Sequence, residues 1–231
     1  MSFDLDYLLA VHRGETPSPV AFNEEHHFYE WVETGQRMLR SVTSVVGHDL
    51  PPIVRQRIEE TKEEWQPRGD AVHLYGEQSW RDGTQIPTEP FIEWKRGLFE
   101  NQFIADLQPL AMEVPLCNRR LSIGGKFDFL GIDSTTGARV LLDLKSTKRV
   151  TRGVDERKTL DYQAQCGGYL SMLIDLYQVT VDECRIALVG PGETYVLPAF
   201  DPSECMEIWF QKWFEYNRLQ TMDIEHEPKE G

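Results

Sequence analysis

Two acidic residues and a lysine lie on neighbouring predicted strands near the middle of the chain. Asp128 ends a glycine-containing strand segment, and Asp143 and Lys145 belong to the apolar run that follows. Because side chains alternate along a strand, Asp143 and Lys145 point to one face, while Leu142 and Leu144 point to the other face, into a core. A carboxylate and an ammonium group therefore share one surface.

The connection between these strands predicts that the two acids meet. Residues 133–137 (Asp-Ser-Thr-Thr-Gly) are short and rich in turn formers, which is typical of a hairpin. The hairpin would bring Asp128 alongside Asp143. Carboxylates hold divalent cations, and such cations relieve the negative charge of a phosphodiester during hydrolysis. We therefore expect a metal-dependent phosphodiesterase site here.

The elements that must position these residues form a mixed pattern. Residues 51–106 read as three helices, with a break at Pro67 and Gly69, and with Pro87 and Pro90 before the third helix. The later elements are strands at about 110–116, 120–132 and 138–146, a helix at 160–177, strands at 183–189 and 194–197, and a helix from Pro202 to Leu219. This order predicts an α/β fold, an α+β mixed sheet flanked by helices.

A chain of 231 residues suits a single domain. The predicted organisation is a loosely attached leader (1–26), one domain (27–221) with a helical elaboration (51–107), a catalytic core (108–200) and a C-terminal helix (202–219), and an acidic tail (222–231). The acidic N-terminus and the lack of a long apolar run favour a cytoplasmic protein without a membrane partner. Four scattered cysteines, Cys117, Cys166, Cys184 and Cys205, read as reduced core thiols.

The charge is unevenly distributed. The net charge is −14, which argues against a nucleic-acid partner, yet residues 119–158 contain ten bases and only five acids. Two of those acids are Asp128 and Asp143. This segment is either a phosphate-binding surface or an ordinary solvated basic loop.

Further polar residues accompany the acids and the lysine in a fixed order. His73 follows Gly69 on a predicted helix, and Glu113 precedes Asp128 on a strand. Gln165 and Tyr169 are four residues apart and so share one face of a helix. Each of these signals is weak alone.

Taken together and in this order, the set resembles the PD-(D/E)XK nuclease superfamily, specifically its RecB-like, phage-type exonuclease branch. The resemblance covers roughly residues 27–198 and implies a restriction-endonuclease-like core with an N-terminal helical elaboration. Phe127 stands where many superfamily members have proline. The four-cysteine iron–sulfur motif of some relatives is missing, so no iron–sulfur cluster is expected.

The resemblance implies a metal centre and catalytic roles. His73, Asp128, Asp143 and the carbonyl of Leu144 would hold Mg²⁺, for which Mn²⁺ would substitute. Lys145 would contact the attacking water, and Gln165 would place that lysine or the water.

Two further residues have open roles. Tyr169 would contact the substrate backbone or brace its helix. Glu113 would bind a second metal or its water shell, or simply pair with a nearby arginine.

The resemblance also implies how DNA would be held. Ser146 and Thr147 would donate hydrogen bonds to the backbone of the substrate. The neighbouring bases would contact its phosphates: Lys148, Arg149, Arg152, Arg157 and Lys158. Trp65, Tyr75 and Trp80 would stack on unpaired bases, or pack as ordinary core residues.

The implied activity is that of a Mg²⁺-dependent DNA exonuclease in phage or bacterial recombination or repair. The alternatives are a structure-specific or restriction-type endonuclease of the same fold and a catalytically inactive DNA-binding subunit. Beyond DNA, the expected partners are a recombination, annealing or single-strand-binding protein and further copies of the chain in a homo-oligomer.

Overall fold

The computed structural model describes residues 2–82 and 90–225. The elements follow in the order α1 (Leu5–His12), β1 (Val20–Asn23), β2 (Phe28–Trp31), β3 (Gln36–Arg37), β4 (Arg40–Ser41), α2 (Val42–Val46), α3 (Pro52–Glu60), α4 (Lys62–Asp82), α5 (Ile92–Phe99), α6 (Gln102–Ala105), β5 (Leu107–Met112), β6 (Pro115–Asn118), β7 (Ile123–Lys126), β8 (Phe129–Asp133), β9 (Arg139–Ser146), α7 (Glu156–Tyr177), β10 (Glu183–Gly190), β11 (Glu193–Val196) and α8 (Pro202–Glu225).

A five-stranded mixed sheet lies at the centre, with the strand order β11-β10-β9-β8-β5. Strands β9 and β10 are parallel, and the other neighbours are antiparallel. Two three-stranded sheets, β1-β2-β3 and β4-β7-β6, complete the strand arrangement of the described residues. Helices flank the sheets, so the predicted α/β class is confirmed.

The two faces of the central sheet are covered by different helices. Leu142 and Leu144 of β9 pack in one core cluster with Val72 of α4 and Leu98 of α5. Leu141 belongs to a larger cluster on the other face, which includes α7 and α8. The predicted alternation along β9 is therefore confirmed. It leaves Asp143 and Lys145 on the face covered by α7.

The turn between β8 and β9 sets the register of the two strands. The carboxylate of Asp133 accepts the Thr135 N–H at 2.8 Å and the Thr136 hydroxyl at 2.9 Å. Gly137 then adopts a φ of +76°, a conformation that suits glycine. The resulting register places Phe129 opposite Leu142, and the predicted hairpin is confirmed.

The strands before this hairpin differ from the prediction. The expected strand at 110–116 is interrupted between β5 and β6, and the expected strand at 120–132 is interrupted between β7 and β8. In both cases the first and second halves belong to different sheets. Hydrophobic alternation persists across each interruption, so the sequence pattern did not reveal either one.

The helical region also differs in detail. The predicted break at Pro67 and Gly69 is wrong, because α4 continues through both residues and the break lies at Thr61. Pro67 is the sixth residue of α4, where its missing N–H removes one hydrogen bond near the helix start. The third predicted helix is divided into α5 and α6, since Asn101 caps α6. Pro87 lies outside the described residues.

The N-terminal segment is not loosely attached, so the predicted leader is wrong. Leu8 of α1 and Val20 of β1 are fully buried in the larger core cluster. The Phe3 N–H also donates to the Leu176 carbonyl at 2.7 Å. Burial of these apolar side chains ties residues 2–26 to the domain.

The C-terminal helix is longer than predicted. Helix α8 runs to Glu225, beyond the predicted end at Leu219, and residues 226–231 of the expected acidic tail lie outside the described residues. Within the described part of the chain, no helix has both the length and the apolar character needed to cross a membrane. All four cysteines are buried, as predicted.

Candidate metal and phosphodiester site

Asp128 lies in the interruption between β7 and β8, directly before the first residue of β8 in the central sheet. Its Oδ2 accepts the main-chain N–H of Leu144 at 2.6 Å. Its Oδ1 lies 3.4 Å from Nδ1 of His73 on α4. The main chain of β9 thus fixes Oδ2 of Asp128, and Oδ1 of the same carboxylate faces His73.

Three side chains converge at this point with atoms suited to a metal ion. One ligand atom from each of His73, Glu113 and Asp128 lies within 4.8 Å of the others. Nδ1 of His73 is 3.3 Å from Oε1 of Glu113. Adjacent ligands around Mg²⁺ or a similar octahedral ion are about 3 Å apart, because the metal–ligand distances are about 2.1 Å. These residues therefore fit a divalent cation.

Glu113 reaches the group because the backbone turns there. It has a φ of +53°, which non-glycine residues adopt seldom and mostly at functional or structural turns. Its N–H donates to the Asp128 carbonyl at 3.2 Å, which joins the two strand interruptions. Its Oε2 forms an ion pair with Lys126 at 2.6 Å. The base that pairs with Glu113 is thus a lysine and not the predicted arginine.

A second polar cluster lies on the α7 side of the sheet. Lys145 Nζ contacts Asp143 Oδ2 at 2.7 Å and Gln165 Oε1 at 2.8 Å. The amide of Gln165 donates to Asp143 Oδ1 at 2.9 Å and to the Tyr169 hydroxyl at 3.0 Å. Gln165 therefore links the lysine, the acid and the tyrosine.

The predicted metal ligands are divided between these clusters. His73 and Asp128 meet, and Glu113 completes their group, whereas Asp143 is engaged by Lys145 and Gln165. Leu144 contributes its N–H to Asp128, whereas the sequence predicted a role for its carbonyl.

Tyr169 braces its helix, because only 5% of the residue is exposed and its hydroxyl contacts Gln165. The other role, contact with the substrate backbone, stays a prediction. Its ring also lies against Gly125, where a Cβ atom would come within 2.9 Å of it. Tyr169 therefore supports the strand that leads to Asp128.

Burial and charge shift the pKa values of the central groups. Burial works to lower the pKa of His73, but Asp128 and Glu113 outweigh it and raise that pKa to about 9. Burial raises the pKa of Asp128 to about 7, while His73 and Asp143 act on it in opposite directions. Burial also opposes the charge of Lys145, but Asp143 and Asp128 hold its pKa above the ordinary value. Lys145 is accordingly an ammonium group here.

The residues predicted to contact DNA begin with Ser146, the last residue of β9, and continue into the segment that follows this strand. Ser146 Oγ accepts from Arg68 Nε at 3.4 Å, and the Thr147 hydroxyl donates to the Arg149 carbonyl at 2.9 Å. The five bases Lys148, Arg149, Arg152, Arg157 and Lys158 are all exposed.

Three of these bases have partners within the chain. Lys148 pairs with Glu64, and Arg157 lies 3.5 Å from Asp49. Lys158 lies over the ring of Tyr162 at 5.8 Å. The predicted phosphate-binding surface is therefore exposed, but part of its charge is shared with protein groups.

Most of the aromatic residues that were predicted to stack on bases pack against other protein residues instead. Tyr75 is 4% exposed, and Trp80 lies on Phe129 with ring centroids 4.3 Å apart. Tyr75 is therefore buried and Trp80 is partly buried against the core cluster that contains Leu142, which is the ordinary packing that the sequence offered as the alternative to stacking. Trp65 is 37% exposed, and its indole N–H donates to the Ile58 carbonyl at 2.9 Å.

Sequence reasoning did not assign roles to Lys126 and Arg68. Lys126 contacts Glu113, and Arg68 is 7% exposed with its guanidinium on Ser146. One available signal was the spacing of Lys126 and Asp128, because residues two apart on an extended segment point to the same side. For Arg68 the false helix break at Pro67 obscured its place on α4.

Comparisons with known proteins add little to this geometry. No protein-family model matches the chain, and no curated protein matches it. One similar solved structure is entitled "Crystal structure of SSO0001"; it shares 14% identity, covers 90% of this chain and 84% of its own, and has a TM-score of 0.37. A TM-score of this size carries no argument about either fold or function.

Proposed function

We propose that this protein is a metal-dependent deoxyribonuclease of the PD-(D/E)XK type, acting as an exonuclease. The observation that carries the proposal is the double contact of Asp128. One of its oxygens faces the His73–Glu113 pair, and the other is held by the strand that bears Asp143 and Lys145. A group suited to a cation thus adjoins a lysine–glutamine–aspartate cluster.

His73, Glu113 and Asp128 would hold the metal ion, with Asp143 on the adjoining strand. The oxygen-rich set suits Mg²⁺, and the imidazole makes Mn²⁺ at least as suitable. A bound divalent cation supplies Lewis-acid stabilisation of the phosphoryl oxygens. His73 must give up its proton to act as a ligand, so metal binding and proton release are linked.

Lys145 would act as a hydrogen-bond donor at the scissile phosphate. An ammonium group has three N–H donors, and two of those of Lys145 are directed at Asp143 and Gln165. The remaining donor would orient the attacking water or stabilise charge on a phosphoryl oxygen. Asp143 and Gln165 hold the ammonium in one position, which lowers the cost of arranging it during the reaction.

The exposed bases after β9 would bind the flanking DNA phosphates, and the strongly acidic remainder of the chain would discourage nonspecific adhesion to duplex DNA. Passage of one strand along the basic segment would be favoured over adhesion to internal duplex, and on this ground we propose exonuclease rather than endonuclease activity. We place the protein in the cytoplasm of a bacterial or phage-infected cell. It would work in recombination or repair, beside an annealing or single-strand-binding protein and with further copies of itself.

The test is digestion of end-labelled single- and double-stranded DNA, and of closed circular DNA, with Mg²⁺ or Mn²⁺ and with a chelator. We expect metal-dependent release of nucleotides from linear substrates and none from circles. Nicking of closed circles would favour the endonuclease alternative. Binding of DNA without any cleavage in Mn²⁺ would favour an inactive DNA-binding subunit.

A further inference from the structure

Lys126 is a second lysine at the candidate metal group. Its Nζ lies 2.6 Å from Glu113 Oε2, while 36% of the lysine side chain is exposed. The Glu113 side chain is only 12% exposed. Lys126 is therefore the more exposed partner of this pair, and its ammonium group can be reached from solvent.

The backbone explains why Lys126 and Asp128 reach the same place. Lys126 ends β7, and Phe127 between them is fully buried in the larger core cluster. Residues on either side of an inward-pointing side chain face the opposite way in an extended segment. Asp128 and Glu77, besides Glu113, raise the pKa of Lys126. Two acids of the ligand group, Glu113 and Asp128, thus act on this lysine.

The charges at the site would change when a cation binds. Without a metal ion, His73 and Lys126 both compensate Glu113 and Asp128. A divalent cation held by Glu113 and Asp128 would neutralise these two carboxylates, so Glu113 would no longer need Lys126 as its counter-ion. The net charge of the loaded site can be summed from its carboxylates (Glu113, Asp128 and Asp143), its two lysines (Lys126 and Lys145) and one divalent cation. The sum is one positive charge, which matches the single negative charge of one phosphodiester group.

We propose that Lys126 leaves Glu113 when the site is loaded and contacts a phosphate oxygen of the nucleic-acid strand, on the Glu113 side of the site and away from Lys145. This inference rests on the proposed function. It makes Lys126 a substrate-binding residue whose contact depends on metal occupancy: DNA binding is strengthened only when the cation has released the lysine.

The test compares Lys126→Gln and Lys126→Arg with the wild type. Affinity for a single-stranded oligonucleotide is measured in Ca²⁺, a hard cation used here as a probe that holds the site, and again in a chelator. We expect Lys126→Gln to bind about tenfold more weakly in Ca²⁺ and with little change in the chelator, while Lys126→Arg keeps most of the affinity. Arg37→Gln is the control, since Arg37 is an exposed base on β3 paired with Glu30.

Two further measurements separate this role from a structural one. A single neutral methylphosphonate is moved along the oligonucleotide: one position should weaken the wild type about tenfold and leave Lys126→Gln unaffected. Mn²⁺ affinity without DNA should stay equal or rise in Lys126→Gln, because a competing cation is gone. A fall in Mn²⁺ affinity with unchanged DNA binding would overturn the proposal, as would identical methylphosphonate profiles.

The outcomes also separate this proposal from the nuclease assignment. If the wild type binds DNA in Ca²⁺ but never cleaves it in Mn²⁺, the nuclease assignment fails and the lysine contact is still decided by the binding data. If the wild type does not bind DNA under any of these conditions, both fail.

Discussion

Asp128 and Leu144 are joined by a 2.6 Å hydrogen bond from the main-chain N–H to the carboxylate Oδ2. A backbone donor on a sheet strand cannot rotate away, so it fixes the orientation of the carboxylate more firmly than a side-chain donor would. Oδ1 is consequently aimed at His73. Backbone geometry, and not side-chain flexibility, sets the position of this acid.

Removal of one negative charge from the ligand group should weaken metal binding. We expect Asp128→Asn and Glu113→Gln each to lower Mn²⁺ affinity about 10- to 100-fold, since each removes one charged oxygen ligand. Titration calorimetry with Mn²⁺ measures the effect. Glu100→Gln is the control, because Glu100 is an exposed acid that pairs only with Arg96 among the described residues. Equal affinities for Glu113→Gln and the control would remove Glu113 from the ligand group.

Loss of Lys145 should lower the cleavage rate far more than the affinity for DNA. We expect Lys145→Ala to lower the cleavage rate at least about 100-fold, because a preorganised donor to the phosphate is lost. Gln165→Ala should lower it less, and Tyr169→Phe least, since the tyrosine acts through the glutamine. Single-turnover kinetics on an end-labelled oligonucleotide gives these rates. The proposed role of Lys145 fails if Lys145→Ala cleaves at the wild-type rate.

The stability of the metal-free protein should fall as the pH rises from about 6.5 to 9. The pKa of His73 is raised to about 9 in the folded chain, so its proton stabilises the fold fully below its unfolded pKa of about 6.5 and less as the pH approaches 9. Denaturant unfolding in a chelator at several pH values measures this dependence. Asp128, whose pKa burial raises to about 7, adds to this fall at the lower end of the interval, so His73→Gln should flatten the curve chiefly at the upper end, and Mn²⁺ should stabilise the wild type more at pH 8.5 than at pH 6.5. An equally steep curve for His73→Gln would show that another group titrates.

Close packing of α7 against α8 should make Gly167 intolerant of any side chain. A Cβ atom there would lie 2.0 Å from the Cys205 carbonyl oxygen, and Gly167 and Cys205 both belong to helices, so neither backbone can give way without moving its helix. We expect Gly167→Ala to lower the free energy of unfolding by about 3 kcal/mol. Urea denaturation measures this change. Gly153→Ala is the control, since no atom lies within 4 Å of its added Cβ, and it should change stability by less than about 0.5 kcal/mol.

The sequence predicts what depends on local pattern. Alternation along β9 correctly assigns Leu142 and Leu144 to one core and Asp143 to the opposite face. The turn residues 133–137 correctly predict the hairpin, because Asp133 and Gly137 have specific conformational roles. These features follow from neighbours within a few residues.

Tertiary packing decides the features that the sequence did not predict. The pairing of Glu113 with Lys126 depends on where two strands leave one sheet for another, and hydrophobic periodicity is the same on both sides of that change. The burial of Leu8 depends on the larger core cluster, most of whose members come from residues 111–213. Likewise, Pro67 is tolerated because later turns of α4, including Val72, pack on the central sheet.

The two interruptions at Glu113 and Asp128 mark the seam between the central sheet and the β4-β7-β6 sheet. A cation held by these two acids would therefore clamp one sheet to the other. Metal binding would then also stabilise the relative position of the two sheets. It would oppose sliding of the smaller sheet, which carries Lys126, relative to the strand that bears Lys145.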